Sequence, residues 1–286
     1  MSLRPRIALA ICLVLGLGRT DPAAAQTAKT RTPAPAATAP VTNADPAAKT
    51  YEQCMALART DPQTGFETGS QWRDQGGGNP AKHCVAVALV NLKQYGEGAA
   101  RLEQLARDLG TTAPALRGDV LDQAGQAWNL AGEPTHAQAT LTQALALQPG
   151  NPDILIDRAI VRAGLKQYRQ AIDDLNAAID HDHNRADAFV YRATAYRFLD
   201  QLKPAEADAE LAVALGPTLP EAWLERGNIR RLLHKDLGAR TDWLRVLSLT
   251  PDGPVADAAR DNIAKLDVKI EPQADVKPKP SAKPKS

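Results

Sequence analysis

Aromatic side chains are scarce in this sequence: three Phe, five Tyr and four Trp, 4% of 286 residues. With hydrophobic content at 44%, that scarcity disfavours a β-sandwich and favours a packed stack of Ala- and Leu-rich helices. Neither sign of charge dominates. Lys and Arg number 34 against 33 Asp and Glu, a formal net charge of +1, so nothing points to a nucleic-acid partner. Catalytic signatures are missing as well: P-loop, G-x-S-x-G, H-E-x-x-H and C-x-x-C patterns are all absent, and serines are few. Each of those patterns places a nucleophile, a metal ligand or a phosphate cradle where its chemistry needs it. Without them the chain is expected to be no enzyme, to need no cofactor and to hold no dedicated metal site. The apolar run at residues 7–18 falls short of the roughly 20 residues a spanning helix needs, so no membrane span is expected in the mature chain.

That run reads instead as the core of a secretory signal. Arg4 and Arg6 supply the positive n-region, and Ala23-Ala24-Ala25 before Gln26 supplies the A-x-A cleavage pattern. A signal peptide over 1–25 is expected to be cleaved after Ala25, with export to a bacterial-type periplasm. Ile11 stands before Cys12, where lipid-modified cysteines follow a small residue. Cys12 leaves with the signal, and Cys54 and Cys84 remain as an even pair in an oxidising compartment. Residues 26–46 are Ala/Pro/Thr-rich, with Pro33, Pro35, Pro40 and Pro46, and read as a disordered linker. The stretch 269–286, with Lys277-Pro278-Lys279-Pro280, reads as a disordered tail.

What the sequence has in quantity is a period of 34 residues. Gly125, Ala159, Ala193 and Gly227 form one column; Ala137, Ala171, Ala205 and Ala239 a second; Ala144, Ala178, Ala212 and Val246 a third. Pro149, His183, Pro217 and Pro251 close the units. Small residues at unit positions 8, 20 and 27 with proline at 32 resemble the tetratricopeptide repeat (TPR). The resemblance implies an all-α fold, a right-handed α-solenoid of antiparallel helix hairpins. Small residues would lie where helix A crosses helix B, and proline would end helix B. The chain then divides into a degenerate N-terminal hairpin at 47–78, a divergent unit at 79–117, and four units at 118–151, 152–185, 186–219 and 220–253. A capping helix at 254–268 would cover the last apolar face. Residues 112–115 are surplus to the period, which is regular from Gly118 onward.

Further columns are candidate sites. Arg158, Arg192 and Arg226 stand at position 7, and Asp174, Asp208 and Asp242 at position 23. They occur together in three units and are lost together in two others, as Ala124 with Thr140 and Val85 with Arg101. They read as structural ion pairs within hairpins, a guanidinium fork on a carboxylate; ligand-binding arginines are the alternative. Asp119, Asp153, Asp187 and Glu221 at position 2 form an acidic rim. Carboxylates there oppose the dipole of helix A for about 0.3–1 kcal/mol each, and as a ladder they could also draw a basic partner. The resemblance implies that positions 5, 9, 12 and 13 of helix A line a concave groove. Those positions include Ile156, Ile160, Val190, Thr194, Arg197, Phe198, Leu224, Asn228 and Arg231, an apolar strip with polar edges suited to a peptide or helix. TPR grooves that clamp a C-terminal carboxylate use lysine and asparagine; Asn228 matches, but Leu224 stands where lysine would be needed. In the implied register Cys54 and Cys84 fall at positions 10 and 6 of neighbouring A helices, and a structural disulfide is expected between them.

The sequence therefore reads as a non-catalytic interaction scaffold or assembly adaptor of the cell envelope, with a protein or peptide partner and no nucleic acid. Two readings of other classes stand beside it. One is a redox-active or metal-handling envelope protein using Cys54/Cys84 or His181/His183, the latter flanked by Asp180 and Asp182. The other is a structural protein tethered by its Lys/Pro tail to anionic envelope polymers.

Overall fold

A computed structural model describes residues 46–270. The expected signal peptide, all but the last residue of the linker, and the tail from residue 271 lie outside the described residues. Every described element is an α-helix, and the helices group into two compact units that divide at Gln167/Tyr168. The first unit holds α1 (Pro46–Thr60), α2 (Pro62–Asp74), α3 (Gly78–Asn91), α4 (Tyr95–Asp108), α5 (Pro114–Leu130), α6 (Pro134–Leu147) and α7 (Pro152–Gly164). The second holds α8 (Tyr168–His181), α9 (Ala186–Phe198), α10 (Leu202–Leu215), α11 (Pro220–Leu232), α12 (Asp236–Leu249) and α13 (Pro254–Ile270). Within each unit successive helices pack in order. Alternate helices also touch, α1 on α3 and α5 on α7 in the first, α9 on α11 and α11 on α13 in the second. This is the all-α, hairpin-on-hairpin packing of an α-solenoid, in which each hairpin leans only on its neighbours.

The turns inside the hairpins follow one design. Unit position 15 takes a positive φ in five successive hairpins, at Lys93 (63°), Gly132 (79°), Lys166 (61°), Asp200 (58°) and His234 (59°). The next residue donates its N–H back into the last turns of helix A: Gln94 to the Leu89 carbonyl at 2.9 Å, Glu133 to Trp128 at 3.0 Å, Gln201 to Tyr196 at 2.9 Å and Lys235 to Arg230 at 2.8 Å. This left-handed cap satisfies carbonyls that the end of helix A would otherwise leave open. Only Gly132 adopts it without steric cost; elsewhere the cost is about 1–2 kcal/mol, held by the bonds around it. Helix starts are marked by Pro at the first turn of α2, α5, α6, α7 and α11. Asp61 and Asn151 add side-chain caps, accepting from the N–H of Thr64 and of Asp153.

The small-residue columns are buried. Ala137, Ala171, Ala205 and Ala239 have no exposed surface, nor do Ala144, Ala178, Ala212 and Val246. At position 8 the close approach is severe in the last unit, where a Cβ on Gly227 would stand 2.5 Å from Nε1 of Trp243. Trp243 occupies position 24, where the preceding unit has Ala209 in the same cluster as Ala193; the indole in the last unit leaves no room for a Cβ at position 8. Trp243 packs with Ala239, Val246, Val255, Ala259 and Leu266, so α13 covers the apolar face of the last hairpin. It runs to Ile270 rather than 268. The surplus residues before Gly118 are shared out: Thr112 and Ala113 lie in the turn after α4, and Pro114 and Ala115 belong to an added first turn of α5 that runs to Arg117.

The N-terminal hairpin is fastened to α3. A disulfide joins Cys54 and Cys84 with their Cα atoms 6.0 Å apart, inside a cluster with Met55, Ala58 and Ala88, against which Tyr51, Phe66 and Trp72 pack. Asn91 Nδ2 donates to the Ala58 carbonyl at 2.9 Å. Tyr51 Oη lies 2.6 Å from His83 Nδ1, and His83 Nε2 lies 2.9 Å from Gln123 Oε1. Burial draws the His83 imidazole below its usual range, so it is neutral: the tyrosine hydroxyl donates to Nδ1 and Nε2–H donates to the amide oxygen. That chain ties α1, α3 and α5 together. By the loop-entropy model the disulfide contributes on the order of 3–4 kcal/mol. Reduction should therefore loosen α1 and α2 first and leave the regular hairpins folded, because solenoid hairpins depend on their nearest neighbours. Limited proteolysis of protein reduced in mild denaturant and of its oxidised counterpart checks this; equal protection of residues 47–77 in both would refute it.

Candidate functional site

The position-7 arginines and position-23 aspartates meet where both partners lie in the second unit. Arg192 grips Asp208 with Nε on Oδ2 at 2.7 Å and a terminal nitrogen on Oδ1 at 2.8 Å. Arg226 does the same to Asp242 at 3.0 and 2.7 Å, and Arg230 adds a third bond at 2.9 Å. Arg158 lies in the first unit and Asp174 in the second, so that pair remains an expectation. The carboxylates are more deeply set than a surface pairing would be: Asp208 is 5% exposed and Asp242 1%. The bond to Asp208 holds the Arg192 guanidinium more firmly in its charged form. Position 25 of the preceding hairpin also takes part. Arg192 donates to Asn176 Oδ1 at 2.8 Å and Arg158 to Thr142 Oγ1 at 3.2 Å. Where the arginine is missing, at Ala124, the polarity inverts: Glu103 at position 25 reaches forward and accepts from Thr140 Oγ1 at 2.8 Å. The sequence did not flag this third member because its residue type changes from unit to unit.

The nine groove residues divide. Ile156, Ile160 and Val190 are buried, at 3%, 9% and 7% exposure, and are corrected from partner contacts to packing. Successive A helices touch within each unit, and these branched aliphatic residues at positions 5 and 9 are buried in the packing and not presented to solvent. The rest lie on α9 and α11 of the second unit. Thr194, Arg197, Leu224, Asn228 and Arg231 are half-buried and Phe198 is 39% exposed. Several have internal partners. Arg197 clasps Glu225 at 2.6 and 3.1 Å and lies over the Phe198 ring, which in turn stacks on Tyr168 at 5.0 Å. Asn228 Oδ1 accepts from Asn262 of α13 at 2.8 Å. Thr194 donates to its own helix at Val190, and Leu224 leans on the Trp243 cluster. Phe198 and Arg231 are thus the side chains with most to offer a partner.

The acidic rim is not uniform. Asp153, Asp187 and Glu221 sit in the first turns of α7, α9 and α11, where a carboxylate opposes the helix dipole. Asp187 is also gripped by Arg185 through two bonds of 2.9 Å. Asp119 is corrected from that role, because the added turn of α5 carries it past the helix start; it accepts instead from Gln148 Nε2 at 2.9 Å. A residue outside the rim is more heavily perturbed. Burial, and then Asp157, Asp153 and Asp119, push the Asp122 carboxyl well above its usual range. Gln126 Nε2 donates to Asp122 at 3.2 Å and to Asp157 at 2.7 Å, and a hydrogen bond between the Asp122 and Asp157 carboxyls favours the protonated form of Asp122.

The rival chemistries find less support. Cys54 and Cys84 are 1% and 0% exposed, so no external thiol reaches their bond while the hairpin is folded. His181 ends α8 and His183 follows it; neither is deeply set. Among the described residues no group of three His, Cys, Asp or Glu is placed to hold a metal ion, and no helix is long and apolar enough to cross a membrane.

No family model and no curated protein matches this chain. Solved structures do. MamA (residues 41 to the end) from Desulfovibrio magneticus RS-1 superposes with a TM-score of 0.52 at 20% identity, over 60% of this chain and 94% of that one. An RS-1 MamA double mutant gives 0.52 at 20% over 60% and 93%, and a crystal structure of MamA gives 0.50 at 14% over 58% and 94%. At these identities the likeness establishes the fold, and that fold is the tetratricopeptide-repeat one.

The charged positions can be tested directly. Arg192→Leu leaves Asp208 buried without its cation and should cost about 3–5 kcal/mol, whereas Arg192→Leu with Asp208→Leu should recover most of it. Denaturant unfolding of both variants decides this; a double variant no more stable than the single one would show that the pair is not a coupled unit. Because the folded-state pKa of Asp122 is raised, its protonated form stabilises the fold most fully below the ordinary carboxylate value of about 3.9. That contribution fades as pH rises through the folded pKa. Asp122→Asn should match the parent in acid and exceed its melting temperature at neutral and alkaline pH. Parallel melting curves at all pH values would refute the assignment.

Proposed function

We propose that this protein is a non-catalytic interaction scaffold, exported to a bacterial-type periplasm, that takes a peptide or helix against α9 and α11 of its second unit. The observation that carries the reading is Phe198. Its ring is more than a third exposed on a TPR-type A helix, yet it is clamped between Tyr168 and the Arg197 guanidinium. An aromatic ring held rigid at the surface by its stacking neighbours, with its open edge exposed, loses little entropy on binding, which is what an interface anchor needs. Arg231, the equivalent of Arg197 one repeat later, adds positive charge to the same run of A helices. The TPR fold supports the interaction class. The non-catalytic reading rests on the absence of catalytic motifs and on carboxylates distributed by the repeat, and the export reading on the N-terminal signal pattern.

Val190 is buried, so charge placed there would test folding and not binding. Phe198→Glu and Arg231→Glu should each weaken partner capture by about tenfold or more while leaving the helical circular dichroism unchanged. Crosslinked pull-down from the envelope fraction measures the capture; binding that survives both changes would place the site elsewhere.

A further inference from the structure

We infer a second site, in the first unit and independent of the proposed peptide surface: Arg107 of α4, Arg117 of α5 and Gln143 of α6 converge with His136 on one cleft that fits a tetrahedral oxyanion, a phosphate group. The cleft is open to solvent, has a volume of about 150 Å³, and is also lined by Ala106, Leu121 and Glu103. That volume suits a single group, with any organic remainder projecting into solvent.

The donors are present and unspent. Arg117 uses only Nε, on the Ala106 carbonyl at 3.1 Å, which fixes the plane of its guanidinium. Its two terminal nitrogens have no hydrogen-bond partner among the described residues. Arg107 commits Nε and one terminal nitrogen to Gln104 Oε1, at 3.2 and 2.9 Å, leaving the other. With the Gln143 amide these make four donor nitrogens from three helices. A carboxylate presents its acceptor sites in one plane, whereas a phosphate group presents oxygens in three directions and more charge, which matches donors arriving from three helices.

The carboxylate at the edge does not spoil the site. Glu103 Oε1 already accepts from Trp128 Nε1 at 3.1 Å, Thr140 Oγ1 at 2.8 Å and His136 Nε2 at 3.0 Å. Those bonds spread its charge and lock the imidazole, which stacks on Trp128 at 4.1 Å. Two guanidinium groups share the cleft with one heavily engaged carboxylate, so a bound anion offsets the repulsion between them. The site also lies where the repeat is broken: Arg117 stands on the added turn of α5, and Glu103, His136 and Thr140 replace the regular arginine–aspartate pair.

The test is calorimetric titration of the full chain with inorganic phosphate, glycerol phosphate and acetate at matched ionic strength, with side-chain NMR of Arg117 and His136. Phosphate should bind saturably and shift both sets of resonances, and acetate should bind about tenfold more weakly or worse. Arg107→Gln and Arg117→Gln should each lower phosphate affinity about tenfold. Glycerol phosphate binding at least as tightly as phosphate would identify an ester as the natural ligand, and weaker binding free phosphate. Arg107 is exposed, so its variant decides the matter even where Arg117→Gln, losing the bond to Ala106, unfolds. A response that never saturates, acetate as tight as phosphate, or unchanged affinity in Arg107→Gln overturns the inference.

Discussion

The close crossing of helix A over helix B is the constraint on which this structure depends. It leaves room at positions 8 and 20 for hydrogen or methyl, and at position 27 for alanine or, in the last unit, Val246; the buried residues show how completely that room is used. A crossing so tight needs a short connection, and the left-handed cap at position 15 provides it. The two demands reinforce each other. The cap sets where helix B begins, and the small residues let it lie down against helix A. Trp243 shows the rule under load: the largest side chain in the core enters position 24 only because position 8 has given up its Cβ at Gly227. Its indole N–H is left without a partner, a cost that volume filling has to offset.

Charge is handled hairpin by hairpin in the same manner. A buried carboxylate occurs at Asp208 and Asp242, each satisfied by a guanidinium fork from its own hairpin, and Arg192 is satisfied in turn by the hairpin before it. Such a cell adds little net stability over an apolar one of the same shape. Its effect is on register: a hairpin shifted along its neighbour would leave a carboxylate unpaired in the interior. The Glu103 cell reaches the same end with the signs exchanged, since the acid comes from the preceding hairpin and the donors from the following one.

The period made the hairpins legible, because steric limits at a helix crossing act on residue size and size is printed in the sequence. The paired columns of Arg and Asp were legible for a similar reason, as two residue types that come and go together. Two things were not. Position 15 hides its backbone conformation under Lys, Asp and His, since only Gly132 advertises a positive φ. The groove residues were misjudged in part because a helix wheel gives direction and not depth: Val190 and Phe198 lie on the same helix, yet one is buried and the other is more than a third exposed. Asp122 escaped notice because its perturbation comes from burial and from Asp157, a residue on another helix whose approach no spacing rule announces.

These buried and engaged side chains limit how the second unit can bind anything. Arg197 and Asn228 are already bonded to Glu225 and Asn262, so a partner that used them would have to match those bonds before gaining anything. On the proposed reading, binding energy would concentrate on the few groups left, an aromatic ring held by its neighbours and a guanidinium one repeat further on. A surface of that kind favours a small number of deep contacts over a broad one. It also stays in place when no partner is bound, because what holds Phe198 is the stack of Tyr168 and Arg197 around it. The internal contacts that would reduce the number of groups open to the proposed partner are therefore the same ones that hold the Phe198 ring in place.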